Sequence, residues 1–257
     1  MQRKKANLYK PGQKEPYNVS RSKIDYFLEC PQCFYLDRKL GITRPDMPGW
    51  SLNSAVDSLL KNEFDLLREK QLPHTLMADY NVVDTVPLSH PDFAIWRDDQ
   101  NKRIGASFLH AQTNLNICGI IDDIWQNVKT KELHIVDYKS TSTDYPISLD
   151  GEYKAGYKRQ MEIYQWIFKK MGHPVSDIGY FFFANATKNR QGFWGKLEFK
   201  NSIIPYKGSH DWVEPAIFAI KKCLEQDNLP DPGKNCQYCS YRKLIKDASL
   251  KNQMSLI

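Results

Sequence analysis

Gly119-Ile120-Ile121-Asp122, followed by Leu133-His134-Ile135-Val136-Asp137-Tyr138-Lys139, is the stretch from which the fold is read. In an extended strand side chains alternate, so Asp137 and Lys139 share one face while Val136 and Tyr138 turn to the other. Ile124 to Val128 and Leu133 to Lys139 read as two strands joined by a turn at Lys129 to Glu132. Antiparallel pairing across that hairpin brings Asp122, at the end of an apolar strand Asn116 to Ile121, close to Asp137. Two carboxylates then converge beside one ammonium group. Mg²⁺ and Mn²⁺ favour such hard oxygen ligands and complete their shell with water and phosphate. The chemistry expected of the set is metal-assisted hydrolysis of a phosphodiester, with the lysine stabilising the attacking water or the developing charge.

Outward from this centre, Tyr153 to Met171 carries Tyr157, Met161, Tyr164, Ile167, Phe168 and Met171 at helical spacing and stops at Gly172 and Pro174. A strand at Ile178 to Ala184 follows. Strand, helix, strand in that order makes a parallel crossover, with the helix on one face of the sheet. Phe193 to Phe199 is expected to pair back as a hairpin, and Trp212 to Gln226 reads as a late helix. Upstream, Ser22 and Asp25 suggest a capped short helix leading to Cys30. Leu52 to Lys70 places Ala55, Val56, Leu59, Leu60, Leu66 and Leu67 on one helical face, and Pro73 to Ala106 reads as mixed strands and loops. The expectation is an α/β fold with a central mixed β-sheet flanked by helices. Residues 1–19 read as a basic flexible tail, with Arg3, Lys4, Lys5, Lys10 and Lys14, and 20–257 as a single domain that includes the C-terminal cysteine segment.

The 257 residues carry a formal charge of +6, which suits a polyanionic partner but also many proteins without one. No apolar run is long enough to span a bilayer, and the N-terminus lacks the apolar core of a secretory signal, so a cytoplasmic protein without a membrane partner is expected. The histidines show no paired metal spacing, and neither a phosphate-binding P-loop nor a dinucleotide fingerprint is present. A Ser-His-Asp hydrolase, a helicase motor and a nucleotide-driven enzyme are therefore unsupported.

Cys30-Pro31-Gln32-Cys33 and Cys236-Gln237-Tyr238-Cys239 are two C-x-x-C pairs, each able to clamp one metal through a tight turn. They sit at opposite ends of the chain, so tertiary structure has to bring them together. Cys118 and Cys223 lack such a pattern and read as small buried apolar residues.

Gly119-x-x-Asp122, Asp137-x-Lys139 and Gln160-x-x-x-Tyr164 resemble, in order and spacing, the motifs of the RecB-like branch of the PD-(D/E)xK nuclease superfamily, which includes CRISPR-associated adaptation exonucleases and the AddB nuclease domain. The resemblance implies a restriction-endonuclease-like core and a Mg²⁺- or Mn²⁺-dependent exonuclease acting on DNA, either single-stranded or at duplex ends. It implies metal ligation by Asp122, Asp137 and the Tyr138 carbonyl, catalysis assisted by Lys139, and substrate positioning by the Gln160 and Tyr164 helix. Many relatives carry a ligand histidine on an early helix. Asp57 stands in that region here, beside the apolar stripe, and is a substitute ligand or an exposed helix residue; Glu63, nearer the middle of the stripe, is a second candidate or a snorkelling side chain. Partners in DNA repair, recombination or CRISPR adaptation follow from the same resemblance. The pattern Cys30 to Leu36 with a late C-x-x-C is similar to iron-sulfur relatives and implies a 4Fe-4S cluster. Those relatives use one early and three late cysteines, however, and the two-and-two arrangement keeps zinc open. A nuclease-fold protein that binds nucleic acid or scaffolds a complex without turnover is the alternative.

Overall fold

Residues 7–45, 49–98, 104–151 and 154–254 are described by a computed structural model, in which the chain forms two units. The first comprises residues 1–47, 109–116 and 214–257, and the second 48–108 and 117–213.

The first unit begins with β1 (Tyr17–Ser20), α1 (Arg21–Glu29) and α2 (Pro31–Arg38). Proline at the first position of α2 loses no hydrogen bond, because that N–H has no intrahelical partner anyway. The second unit opens with α3 (Ser51–Lys70), α4 (Leu76–Asp79), β2 (Thr85–Pro87) and α5 (Phe93–Trp96). The chain then runs along β3 (Ala106–His110) into the first unit and returns along β4 (Leu115–Gly119). The rest of the second unit is β5 (Asp123–Asn127), β6 (Leu133–Thr141), α6 (Ala155–Lys170), β7 (Ile178–Ala186) and β8 (Phe199–Lys207). The first unit is completed by α7 (Val213–Glu225) and α8 (Gln237–Met254).

The sheet of the second unit has the order β2-β5-β6-β7-β8. β5 and β6 pair antiparallel, β6 and β7 parallel through the α6 crossover, and β7 and β8 antiparallel, so the sheet is mixed as expected. The β5–β6 turn is held by Asn127, whose Oδ1 accepts from the N–H groups of Lys129 and Thr130 at 2.9 and 3.0 Å. One sheet face packs on α3: Leu60 and Phe64 meet Trp125, Val136, Tyr138 and Phe182, with the Phe64 ring 5.5 Å from three of these aromatic centres. Burial of side chains of this size stabilises the unit by roughly 2 kcal/mol each. On the other face α6 lies so close to β7 that a Cβ at Gly179 would stand 2.3 Å from Met161 Sδ and 2.9 Å from Ile135 O.

Several local expectations are corrected. The helix expected from a Ser22 cap starts at Arg21 after Ser20, and the two serine hydroxyls bond each other at 3.0 Å. On α3 the buried stripe runs through Leu60 and Phe64, flanked by Val56 and Leu67, while Leu59 and Leu66 are exposed, because Phe64 sets the phase of the packed face. Residues 193–198 form no strand. The returning strand starts at Phe199, since β7 continues to Ala186 and its partner pairs Ala186 with Phe199. Among the described residues, Pro73 to Ala106 holds two short helices and one short strand before β3 begins at Ala106. The stretch read as a tail is anchored at a few positions. Tyr9, Tyr17 and Val19 are buried, and Tyr9 N–H donates to Arg38 O at 2.8 Å. Lys10 is exposed, whereas Arg3, Lys4 and Lys5 lie outside the described residues.

Candidate active site

The register of the β5–β6 pair fixes the centre. Asp123 faces Val136, so the next positions outward are Asp122 and Asp137. The N–H of Tyr138 donates to Asp122 Oδ2 at 2.9 Å, which holds that carboxylate against the end of β6. Asp137 is 2% exposed, and its buried Oδ2 is ion-paired with the Lys139 ammonium. The Lys139 ammonium also lies over the Tyr157 ring, 4.6 Å from its centroid. Burial first and the charge of Asp137 second raise the Asp122 carboxyl to about 6, against the opposing pull of Lys139, Lys61 and the Tyr138 N–H. Two neighbouring carboxylates, one of them raised by the charge of the other, suit a divalent cation.

Behind them lies a network that the sequence reading did not find. Asp123, next to Asp122 and therefore pointing the opposite way, is buried and ion-paired with Arg68. It also accepts from the Tyr138 hydroxyl at 2.6 Å and from the Ile124 N–H at 2.7 Å. Arg68 in turn donates through Nε to Leu88 O at 2.8 Å and lies over the Phe93 ring at 3.9 Å. Tyr138 thus touches both aspartates, Asp122 through its backbone and Asp123 through its side chain. This ties the start of β5 to β6.

α3 supplies a second wall. Asp57 and Tyr157 line a cleft of about 340 Å³ together with Trp50, Asn53, Tyr138, Lys139 and Ser140. Asp57 is engaged by Lys61 Nζ at 2.9 Å, and the same ammonium stands 3.8 Å from Asp122 Oδ1. The structure therefore brings Asp57 near the centre with a lysine bridging it to Asp122. Lys61 escaped the sequence reading, although its position four residues after Asp57 on one helix face was a signal for it. Glu63, by contrast, is exposed and bonded to His74 at 2.9 Å. The expectation that it sits in the helix stripe fails because Phe64 occupies that face. On α6, Gln160 and Tyr164 are both buried, and the Tyr164 hydroxyl donates to Ile120 O at 2.5 Å. That bond attaches the helix to the Gly119–Asp122 segment.

The four cysteines of the paired motifs meet in the first unit. Cys30, Cys33, Cys236 and Cys239 are buried and unbridged, with their sulfurs within 4.8 Å of one another. Cys118 and Cys223 are buried apart from them, and burial raises both thiols to about 11.

A family model of the PD-(D/E)XK nuclease superfamily matches residues 55–244, roughly three quarters of the chain. The chain belongs to the PD-(D/E)XK nuclease superfamily. No curated protein matches it. In this nuclease-type fold the matched stretch contains Asp57, Asp122, Asp137, Lys139, Gln160, Tyr164 and the late cysteine pair, whereas Cys30 and Cys33 precede it. Members of the superfamily are usually metal-dependent nucleases, and the paired aspartates offer the oxygen ligands such catalysis needs. Among the described residues no helix is long and apolar enough to cross a membrane.

Proposed function

We propose that the protein is a Mg²⁺- or Mn²⁺-dependent nuclease of the RecB-like branch that hydrolyses phosphodiester bonds in DNA as an exonuclease. The observation that carries the reading is the β5–β6 register, which sets Asp122 opposite Asp137 with Lys139 on the same face. Asp122 and Asp137 would hold the cation. Tyr138 would add its carbonyl, since the N–H and C=O of one strand residue leave by the same edge and its N–H already points to Asp122. The bound cation supplies Lewis-acid activation of the phosphate and of water.

The remaining steps belong to the chain. Lys139, held by Asp137 and the Tyr157 ring, offers a proton donor to charge that develops during attack. Lys61 is placed to meet a substrate phosphate beside Asp122, and Asp57 is an outer oxygen donor at the cleft. Tyr164 fixes the approach of Gly119–Asp122 through Ile120, and Gln160 one turn earlier positions substrate. A single-stranded or duplex-end DNA substrate, a cytoplasmic location and partners in DNA repair, recombination or CRISPR adaptation complete the proposal.

Labelled single- and double-stranded DNA incubated with Mn²⁺ tests it. Wild-type protein should release product, and Asp137→Ala or Lys139→Ala should lower the rate by about 10²-fold or more while leaving the fold intact. Undiminished cleavage by either variant removes the assignment. Salt-sensitive binding by the wild type without any product would favour the non-catalytic alternative, for which Lys61 next to Asp122 is the supporting observation.

A further inference from the structure

The cysteine cluster has a size, and the size selects its metal. Three sulfur pairs, Cys30–Cys239, Cys33–Cys236 and Cys33–Cys239, are each 3.6 Å apart. A tetrahedral ion with metal–sulfur bonds of about 2.3 Å has sulfur–sulfur edges of about 3.8 Å. A 4Fe-4S cluster bonds each cysteine to a different iron at a different corner of a cube, so its thiolates must stand apart by the body of the cluster as well. Four sulfurs that all lie within 4.8 Å of one another enclose room for one ion and not for a cube. The cysteines present therefore do not fit the cluster that the family resemblance implies.

We propose that Cys30, Cys33, Cys236 and Cys239 bind a single zinc ion as a closed tetrahedral thiolate site. The surroundings are built for thiolates. The N–H groups of Cys33 and Gly233 donate to Cys30 Sγ at 3.4 and 3.2 Å, and Arg242 Nη2 donates to Cys239 Sγ at 3.1 Å. Arg44 Nη2 reaches Cys236 Sγ at 3.6 Å. Four thiolates around Zn²⁺ carry a net charge of −2, and the two guanidinium groups balance it. Gly233 is required for this arrangement, because a Cβ there would stand 1.9 Å from Glu29 O. Zinc is preferred to a lone ferrous ion in a closed four-sulfur site because thiolates bind it more tightly and it needs no redox partner. The ion joins the start of α2 to the start of α8, two segments of the first unit that are remote in sequence. The proposal stands on the cluster alone and is independent of the nuclease reading.

The full chain, expressed with both metals supplied and purified anaerobically, should contain about one zinc per molecule and show no visible absorption. Replacing the ion with Co²⁺ should give the intense visible bands of a tetrahedral thiolate site. Cys33→Ser and Cys236→Ser should each lose the bound zinc, and if either variant fails to fold, the cobalt spectrum of the wild type still decides. A brown protein with about four irons and acid-labile sulfide per chain would overturn the proposal. So would a single bound iron, or a preparation holding neither metal.

Discussion

Replacing Asp122 with Asn probes the cost of keeping two carboxylates together. The folded protein holds the Asp122 carboxyl at about 6 against an ordinary value of 3.8, through burial first and the charge of Asp137 second. A carboxyl raised on folding binds its proton more tightly in the native state, so the native state loses stability as pH rises from about 4 to about 6. Above that window the loss is complete. A tenfold change in proton affinity corresponds to about 1.4 kcal/mol, and sharing the charge with Asp137 leaves roughly 1–3 kcal/mol assignable to Asp122. Asn cannot ionise, and its carbonyl can still accept from the Tyr138 N–H. Asp122→Asn should therefore melt roughly 3–10 °C above wild type at pH 7.5 without divalent cations, an advantage that shrinks as pH falls from 6 to 4. Differential scanning calorimetry in both buffers measures it. Addition of Mn²⁺ at about a hundred times its dissociation constant should stabilise wild type by about 2.7 kcal/mol and leave the variant almost unmoved. A variant less stable than wild type at pH 7.5, or one that keeps the full Mn²⁺ response, would refute the reasoning.

Further outcomes follow from the supporting shell. Arg68→Ala leaves Asp123 as a buried charge without its main partner and should destabilise the protein by about 3–5 kcal/mol in urea unfolding; the double variant Arg68→Met with Asp123→Asn should recover much of that loss. Tyr138→Phe removes the hydroxyl that donates to Asp123 and should cost about 1–3 kcal/mol, while the backbone bond to Asp122 persists and cleavage falls less than in Asp137→Ala. Gly179→Ala forces a methyl against Met161 and Ile135 O and should cost about 1–3 kcal/mol by the same measurement.

The period of two was legible over Leu133–Lys139, and it placed Asp137 and Lys139 on one face and Val136 and Tyr138 on the other, where Tyr138 packs on α3. The hairpin followed from the Lys129–Glu132 turn, and with it the approach of Asp122 to Asp137. What escaped was set by tertiary contacts. Asp123 is chemically identical to its neighbour, and only the pleat and Arg68, 55 residues away, give it a structural role. α8 carries no clear apolar face, with Tyr241 and Leu244 both exposed, so periodicity could not announce it. The returning strand was placed too early because the aromatic run Phe193-Trp194 read as β-forming, whereas both side chains are exposed and Trp194 has φ of 39° in a turn. The two C-x-x-C pairs announced that they would meet; the sulfur–sulfur distances on which the zinc proposal rests were not legible.

Anomalous diffraction from crystals grown with Mn²⁺ tests the central claim most directly. One manganese peak should lie about 2.1 Å from a carboxylate oxygen of both Asp122 and Asp137. A cleft without manganese at saturating concentration, or an ion bound by Asp57 or Glu63 while Asp122 and Asp137 stay unligated, would contradict it.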